Sequence, residues 1–308
     1  MVLTDKSRDS RILRWIISIQ LGILLLAVPL YWASGLTFKW SSVGGQLFIA
    51  SVFGAGAALS RRDRNGVPQA ISAITLLLIA WLILGPLQYL AAAWNRPLVD
   101  AYLLRADGWL GVSWPAIDRW VAEHRMARHV LGLAYMSFLP QFVLVPLVLG
   151  WVNRPRLWEF VLQFQLTALG TVVLFAFWPA STLARHGIHE WMSSTDAMQQ
   201  MFAVRTGALR VLDLNQATGL ISWPSFHTSG ALLVVWSLRK TWWFWPIVLL
   251  DALLIAATVL LGIHYAVDVL GGIGVVGLVV VSTKYLTSPR TVRVRARHSA
   301  SWLLRPAQ

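Results

Sequence analysis

HYAVDVLGGIGVVGLVVVSTKY, residues 264–285, decides how this chain is read. Its 22 residues hold one acid, Asp268, and one base, Lys284. As an α-helix, a run of that length covers about 30 Å, the hydrocarbon thickness of a bilayer. It therefore predicts a membrane-crossing helix. His264 and Asp268, four residues apart at its start, are the exceptions in an otherwise lipid-compatible segment.

Seven more apolar runs lie outward from it, at residues 12–33, 43–60, 71–93, 130–152, 158–178, 224–238 and 242–261. The first is too long for the core of a signal peptide and lacks a convincing cleavage site, so it reads as an anchor. The pattern predicts an all-α polytopic bundle of about eight transmembrane helices. Composition agrees. Hydrophobic residues make up 57% of the 308 and charged residues 13%, against about 25% charge in a soluble domain. This excludes a disordered chain, a collagen-like fibre and an ordinary soluble enzyme. The chain has no Cys, which removes disulfides, thiolate chemistry and Cys-ligated metal.

The net charge of +13 invites a nucleic-acid reading. Basic cytosolic loops explain it more simply, and no nucleic-acid partner is expected. With eight crossings and the N-terminus inside, 17 of the 26 Lys and Arg residues fall on the inner side. They include Arg61, Arg62 and Arg64, then Arg154 and Arg156, then Arg239 and Lys240. Each group sits where eight alternating crossings require a cytosolic turn. Trp40, Trp94, Trp178 and Trp223 fall near outer span ends, and Trp15, Trp151, Trp158 and Trp242 near inner ends. Indoles favour both headgroup belts. Two long outer segments remain, 94–129 and 179–223. The first alternates apolar and charged residues, as short amphipathic helices on the outer surface do. The second is long enough to suggest a functional loop.

Three polar residues near the membrane stand out: His227, His264 and Asp268. His227 follows Trp223-Pro224-Ser225-Phe226 at the start of one span, and His264 precedes another. Both spans run from outside to inside, so the two His residues sit at similar depth on the outer rim. Asp268 lies on the same helical face as His264 and can hold one imidazole nitrogen. Such a set supplies a nucleophile, its orienting carboxylate and a separate proton donor. Pro and Ser suit a helix start, whose free amides can bind phosphate oxygens. Ser225 reads equally as a hydrogen-bond donor to substrate or as a helix cap. Asp251 falls mid-span, where it either pairs with a polar group, is protonated, or marks a proton or substrate path. His186 and His189 fit no known metal-ligand spacing.

Pro224-Ser225-Phe226-His227 and Gly262-Ile263-His264-Tyr265-Ala266-Val267-Asp268 resemble the second and third motifs of the type 2 phosphatidic acid phosphatase superfamily. The stretch from Asp100 to Pro115 resembles one common in bacterial members, so the likeness covers roughly residues 100–285. The His264-Tyr265-x-x-Asp268 form and Thr258 look closest to the branch with inositol phosphorylceramide synthase-like phosphotransferases. The resemblance implies a six-helix-type core and attack by His264 on phosphorus to form a phosphohistidine. It implies that Asp268 orients His264, and that His227 protonates the leaving oxygen and then activates the acceptor. It implies no metal and no cofactor. The substrate would be a lipid phosphate or lipid diphosphate taken from surrounding membrane lipids on the periplasmic or outer face, with both termini cytosolic.

The superfamily's first motif is absent here, and Thr258 stands where the third usually has Arg. Arg205 and Arg210, in the loop where the first motif would lie, are the expected phosphate-binding replacements, with Ser225 and Thr258 beside them. The chain then divides into three N-terminal helices (1–93), a catalytic membrane domain (94–285) and a basic cytosolic tail (286–308). The competing reading is a transporter or channel that uses Asp251 and the outer basic residues.

Overall fold

The computed structural model describes residues 6–60, 65–188 and 195–287. Arg61, Arg62 and Arg64, His189 and the basic tail beyond residue 287 lie outside the described residues. The described chain is almost entirely helical. Five helices are long and apolar enough to cross a membrane. They are α1 (Lys6–Ser34), α2 (Trp40–Leu59), α3 (Val67–Ala93), α8 (Arg154–Phe177) and α12 (Ala266–Thr287). The expected single span over 130–152 is instead a broken pair, α6 (Arg125–Met136) and α7 (Phe138–Val152), bent by 48°. Pro140 explains the break. It has no N–H to give the Met136 carbonyl, and its ring crowds that carbonyl. Two shorter apolar helices complete the set: α10 (Phe226–Leu238, 13 residues) and α11 (Phe244–Leu260, 17 residues). At about 1.5 Å per residue they fall short of a full crossing.

Helix α8 is the hub. Of its apolar window 56% is buried inside the molecule, against 17% for α1 and for α2. Leu157, Phe160 and Val161 of α8 join one core with Ile12, Leu77, Leu149, Leu233 and Val276. The start of α8 is fixed by Asn153, whose side-chain oxygen accepts the Arg156 N–H at 3.3 Å, and by Pro155 in its first turn. On the periphery Leu25 and Leu278 are 75% and 71% exposed. An apolar outer surface of this kind suits lipid rather than water. Trp158 departs from the expected belt. It is buried in the core, so its indole serves packing.

A layer of short helices, formed by the segments expected on the outer side, caps one end of the bundle. It comprises α4 (Asp100–Trp109), α5 (Trp114–Glu123), a 3-10 turn (Leu183–His186) and α9 (Thr195–Thr206). Ile117 and Val121 of α5 pack on Ala257 of α11 and on Leu261, which caps its end. Leu103 of α4 packs on Tyr265 and Ala180. A two-residue parallel pairing of β1 (Thr37–Phe38) with β2 (Val211–Leu212) ties the α1–α2 turn to the outer loop. Two residues carry no alternation, so no sequence pattern announces it.

Candidate active site

The site forms where α10 and α12 begin. Helix α11 ends in a left-handed Gly262, φ +75°. The Gly262 N–H donates to the Val259 carbonyl at 3.0 Å, and the Ile263 N–H to that of Thr258 at 3.1 Å. This is the Schellman stop, which satisfies the last carbonyls and turns the chain sharply. The His264 N–H also donates to the Thr258 carbonyl, at 2.8 Å. His264 is thereby fixed between two helices and is 2% exposed.

The surroundings of His264 assign its tautomer. Its Nδ1 lies 2.9 Å from the Ser222 carbonyl oxygen and 3.4 Å from Asp268 Oδ2. Both partners only accept, so Nδ1 carries the proton and Nε2 keeps its lone pair. Nε2 faces His227 Nδ1 at 3.2 Å, so His227 donates there. Asp268 is fully buried. Its Oδ2 accepts the Ser222 hydroxyl at 2.8 Å and the Tyr265 N–H at 2.9 Å. His227, in the first turn of α10, lies between the rings of Tyr135 and Phe138, with centroids 4.7 and 4.6 Å away. The pair can therefore present an imidazole lone pair beside a second imidazole able to move a proton.

Close helix contact holds the two His residues together. The Ser225 N–H donates to the Asp268 carbonyl at 3.1 Å, and the Ser229 hydroxyl to that of Gly272 at 3.0 Å. A Cβ on Gly272 would lie 2.6 Å from the Ser225 carbonyl oxygen, so only glycine permits this approach. Ser225 itself is the cap of α10. Its Oγ accepts the Thr228 N–H at 3.2 Å.

Further partners complete the site: Ser222 and Gln88 lie outside the resembling stretches, and Tyr265, Asp100 and Asp107 lie within them without an expected role. Ser222 bonds both His264 and Asp268. The Tyr265 hydroxyl donates to Asp100 Oδ1 at 2.9 Å. Asp107 accepts the N–H groups of Ala266 and Val267 at 3.2 and 2.8 Å, and the Trp114 indole N–H at 3.2 Å. Burial pushes the Asp107 carboxyl above the usual carboxylate range, and the two backbone N–H bonds pull against that shift. Asp100 and Asp107 are 3% and 0% exposed, where the sequence suggests surface charges. The available signal is their seven-residue spacing, which puts both on the helical face that carries Leu103. Gln88 of α3 donates to the Thr218 carbonyl and accepts the Leu220 N–H, fixing the loop that delivers Ser222.

Both His residues line a cavity of about 360 Å³. Thr171, Thr182, Thr218 and Ser222 add polar groups to its wall, Ser222 in contact with His264, and Ala80, Leu84, Phe164 and Ala168 line its apolar part. The cavity also reaches Trp81, Met136 and Leu139, all exposed on the outer surface of the bundle. Among the described residues no Lys or Arg lines it.

The other expected site residues lie elsewhere. The Thr258 hydroxyl donates into its own helix, to the Ile255 carbonyl at 2.7 Å, and its carbonyl anchors the α11 stop. Arg210 donates to the Ser34 and Gly207 carbonyls at 2.9 and 3.1 Å, beside β2. Arg205 lines a separate cavity. Asp251 is 1% exposed, accepts the Gln141 amide N–H at 2.8 Å, and lines neither cavity.

The family model described as the PAP2 superfamily matches residues 101–282. No curated protein and no solved structure matches the chain.

Proposed function

The chain belongs to the PAP2 superfamily, a family of phosphatase and phosphotransferase type, and we propose that it cleaves a phosphoryl group from a lipid through a phosphohistidine on His264. The observation that carries this reading is the His264 lone pair facing His227 at the polar end of a largely apolar cavity in a membrane bundle. The lipid chain would lie against Leu84, Phe164 and Ala168 and reach the bilayer past Trp81 and Leu139. The headgroup would part the two rings.

In the first step His264 Nε2 forms a bond to phosphorus and the bond to the leaving oxygen breaks. Protonated His227 gives that oxygen its proton. Asp268 holds the Nδ1 proton and stabilises the positive imidazole that develops. In the second step His227 takes a proton from water or an alcohol. The resulting oxygen attacks phosphorus, the N–P bond breaks and the lone pair returns to His264. Negative charge on the phosphoryl oxygens would meet the amide-rich start of α10, capped by Ser225, and the imidazolium of His227.

Hydrolysis and transfer share the first step and differ only in the acceptor. The likeness of the His264-Tyr265-x-x-Asp268 form to the inositol phosphorylceramide synthase-like branch keeps an alcohol acceptor beside water in this reading. The active face would be the periplasmic one. The transport reading has no support in the geometry, because Asp251 is closed off with Gln141.

The test is turnover of a panel of radiolabelled lipid phosphates by purified protein, with and without alcohol acceptors. We expect phosphate release or transfer that His264→Ala reduces by about 10³-fold or more. Unchanged turnover in His264→Ala would overturn the proposal, and so would loss of function on Asp251→Asn alone.

A further inference from the structure

The cavity lined by Arg205 has a volume of about 420 Å³ and opens on the outer layer. Arg185, His186 and Asp100 share its wall. It is distinct from the cavity of His264 and His227, and no residue lines both. Loop residue Thr182 lines the first and Arg185, three residues on, lines the second.

The charges in this cavity do not balance. Arg185 and Arg205 repel each other closely enough to lower the Arg205 pKa, an effect second to burial. Among the described residues only one acid, Asp100, shares the wall. Both Asp100 oxygens accept the Ser181 N–H, and Oδ1 also accepts the Ser181 and Tyr265 hydroxyls. His186 Nε2 lies 3.9 Å from Asp100 Oδ1 and, when protonated, adds a further positive charge. Arg205 has one guanidinium nitrogen, Nη2, on the Arg96 carbonyl at 2.8 Å, while Nη1 is enclosed with no partner among the described residues. Arg185 rests against the Phe202 ring, 5.5 Å from its centroid, which steadies its guanidinium. Two guanidiniums on one cavity wall with one engaged carboxylate leave positive charge uncompensated, which an anion between them would balance. A guanidinium suits phosphate above other anions, because its planar N–H donors match two oxygens; the exposed Arg185 offers such a fork and Arg205 adds its charge.

We infer that this cavity is a second anion site that takes a phosphate group through Arg185 and Arg205, apart from the phosphorus attacked by His264. The phosphate is either free inorganic phosphate or the phosphodiester of a neighbouring lipid headgroup. This accounts for Arg205, a residue the sequence assigns to phosphate binding and the fold keeps out of the His cavity. It does not depend on the role proposed for His264.

The experiment uses the full chain in micelles of a phosphate-free maltoside detergent, titrated with inorganic phosphate by calorimetry. His264→Ala is expected to keep a phosphate-binding event. Adding Arg185→Gln should weaken that event at least about tenfold, the scale of one charge-assisted contact. Arg185 is exposed, so this change should leave the thermal midpoint in phosphate-free buffer unaltered, while Arg185→Lys should retain part of the affinity. A second arm adds phosphatidylglycerol to the micelles. Phosphate binding that weakens there in wild type, or thermal stabilisation by phosphatidylglycerol that Arg185→Gln removes, identifies the lipid headgroup as occupant. Arg185-dependent phosphate binding that phosphatidylglycerol leaves unchanged identifies free phosphate. If neither phosphate affinity nor stabilisation by phosphatidylglycerol depends on Arg185, there is no such site. Failure here leaves turnover by His264 untouched, so the two proposals fall separately.

Discussion

At the scale of the residue, the Asp268 carboxylate joins three donors at one oxygen: a side-chain hydroxyl, a backbone N–H and, at longer range, the His264 ring. Asp268→Asn keeps an acceptor near that place but removes the charge that stabilises a positive imidazole. We predict a fall in kcat of about 10²–10⁴ with little change in KM. A variant with wild-type kcat would show that the carboxylate only packs. Asp107 makes a different prediction. Its folded pKa is raised, so its contribution to stability is complete below the unfolded pKa and is lost as pH rises through the folded one. Wild type should therefore gain thermal stability relative to Asp107→Asn as the medium becomes weakly acidic. A gain in the opposite direction would mean that the Ala266 and Val267 N–H bonds outweigh burial. His264, His227 and Asp268 were legible in the sequence because charge is scarce inside membrane segments. Asp100 and Asp107 were not read as buried, because acids on a short amphipathic helix normally face water. Only the packing of α4 on the start of α12 turns them inward.

At the scale of the element, four glycines in α12 look alike in sequence and differ in the fold. A Cβ on Gly271 would lie 2.5 Å from the Trp223 ring, and one on Gly272 2.6 Å from the Ser225 carbonyl oxygen. Nothing lies within 4 Å of a Cβ on Gly274 or Gly277. Gly272→Ala should therefore force α10 from α12. The expected cost is about 1–3 kcal/mol of stability, with a loss of turnover as the His227–His264 contact opens. Gly274→Ala and Gly277→Ala should leave the unfolding midpoint and turnover near wild type. Equal effects at all four positions, read by thermal unfolding and by rate, would contradict the observed packing. The break between α6 and α7 has a similar lesson. Hydropathy alone joins residues 130–152 into one span, whereas Pro140 decides the geometry locally.

At the scale of the whole molecule, the apolar runs and their order were present in the sequence, since a bilayer demands satisfied backbone and apolar faces, but not the break between α6 and α7 or the shortness of α10 and α11. The outer layer was legible only as an amphipathic rhythm, because its position depends on long-range contacts such as that of Tyr265 with Asp100. The positive-inside pattern makes a topological prediction that the Cys-free sequence renders easy to read. Single cysteines at Arg119→Cys and Lys240→Cys, both exposed positions, should label from opposite sides of intact cells. An impermeant maleimide should reach the first directly and the second only after lysis. Labelling of both from outside would overturn the orientation and the outward-facing site with it.

The central claim is that His264 carries the phosphoryl group. Its most direct measurement is rapid acid-free quenching of the protein during turnover of a ³²P-labelled lipid phosphate, followed by peptide mapping. The account predicts label on the peptide containing His264, stable to base, lost in mild acid and missing from His264→Ala. Label on His227 instead, or steady turnover with no labelled histidine on a timescale that resolves the first step, would contradict it.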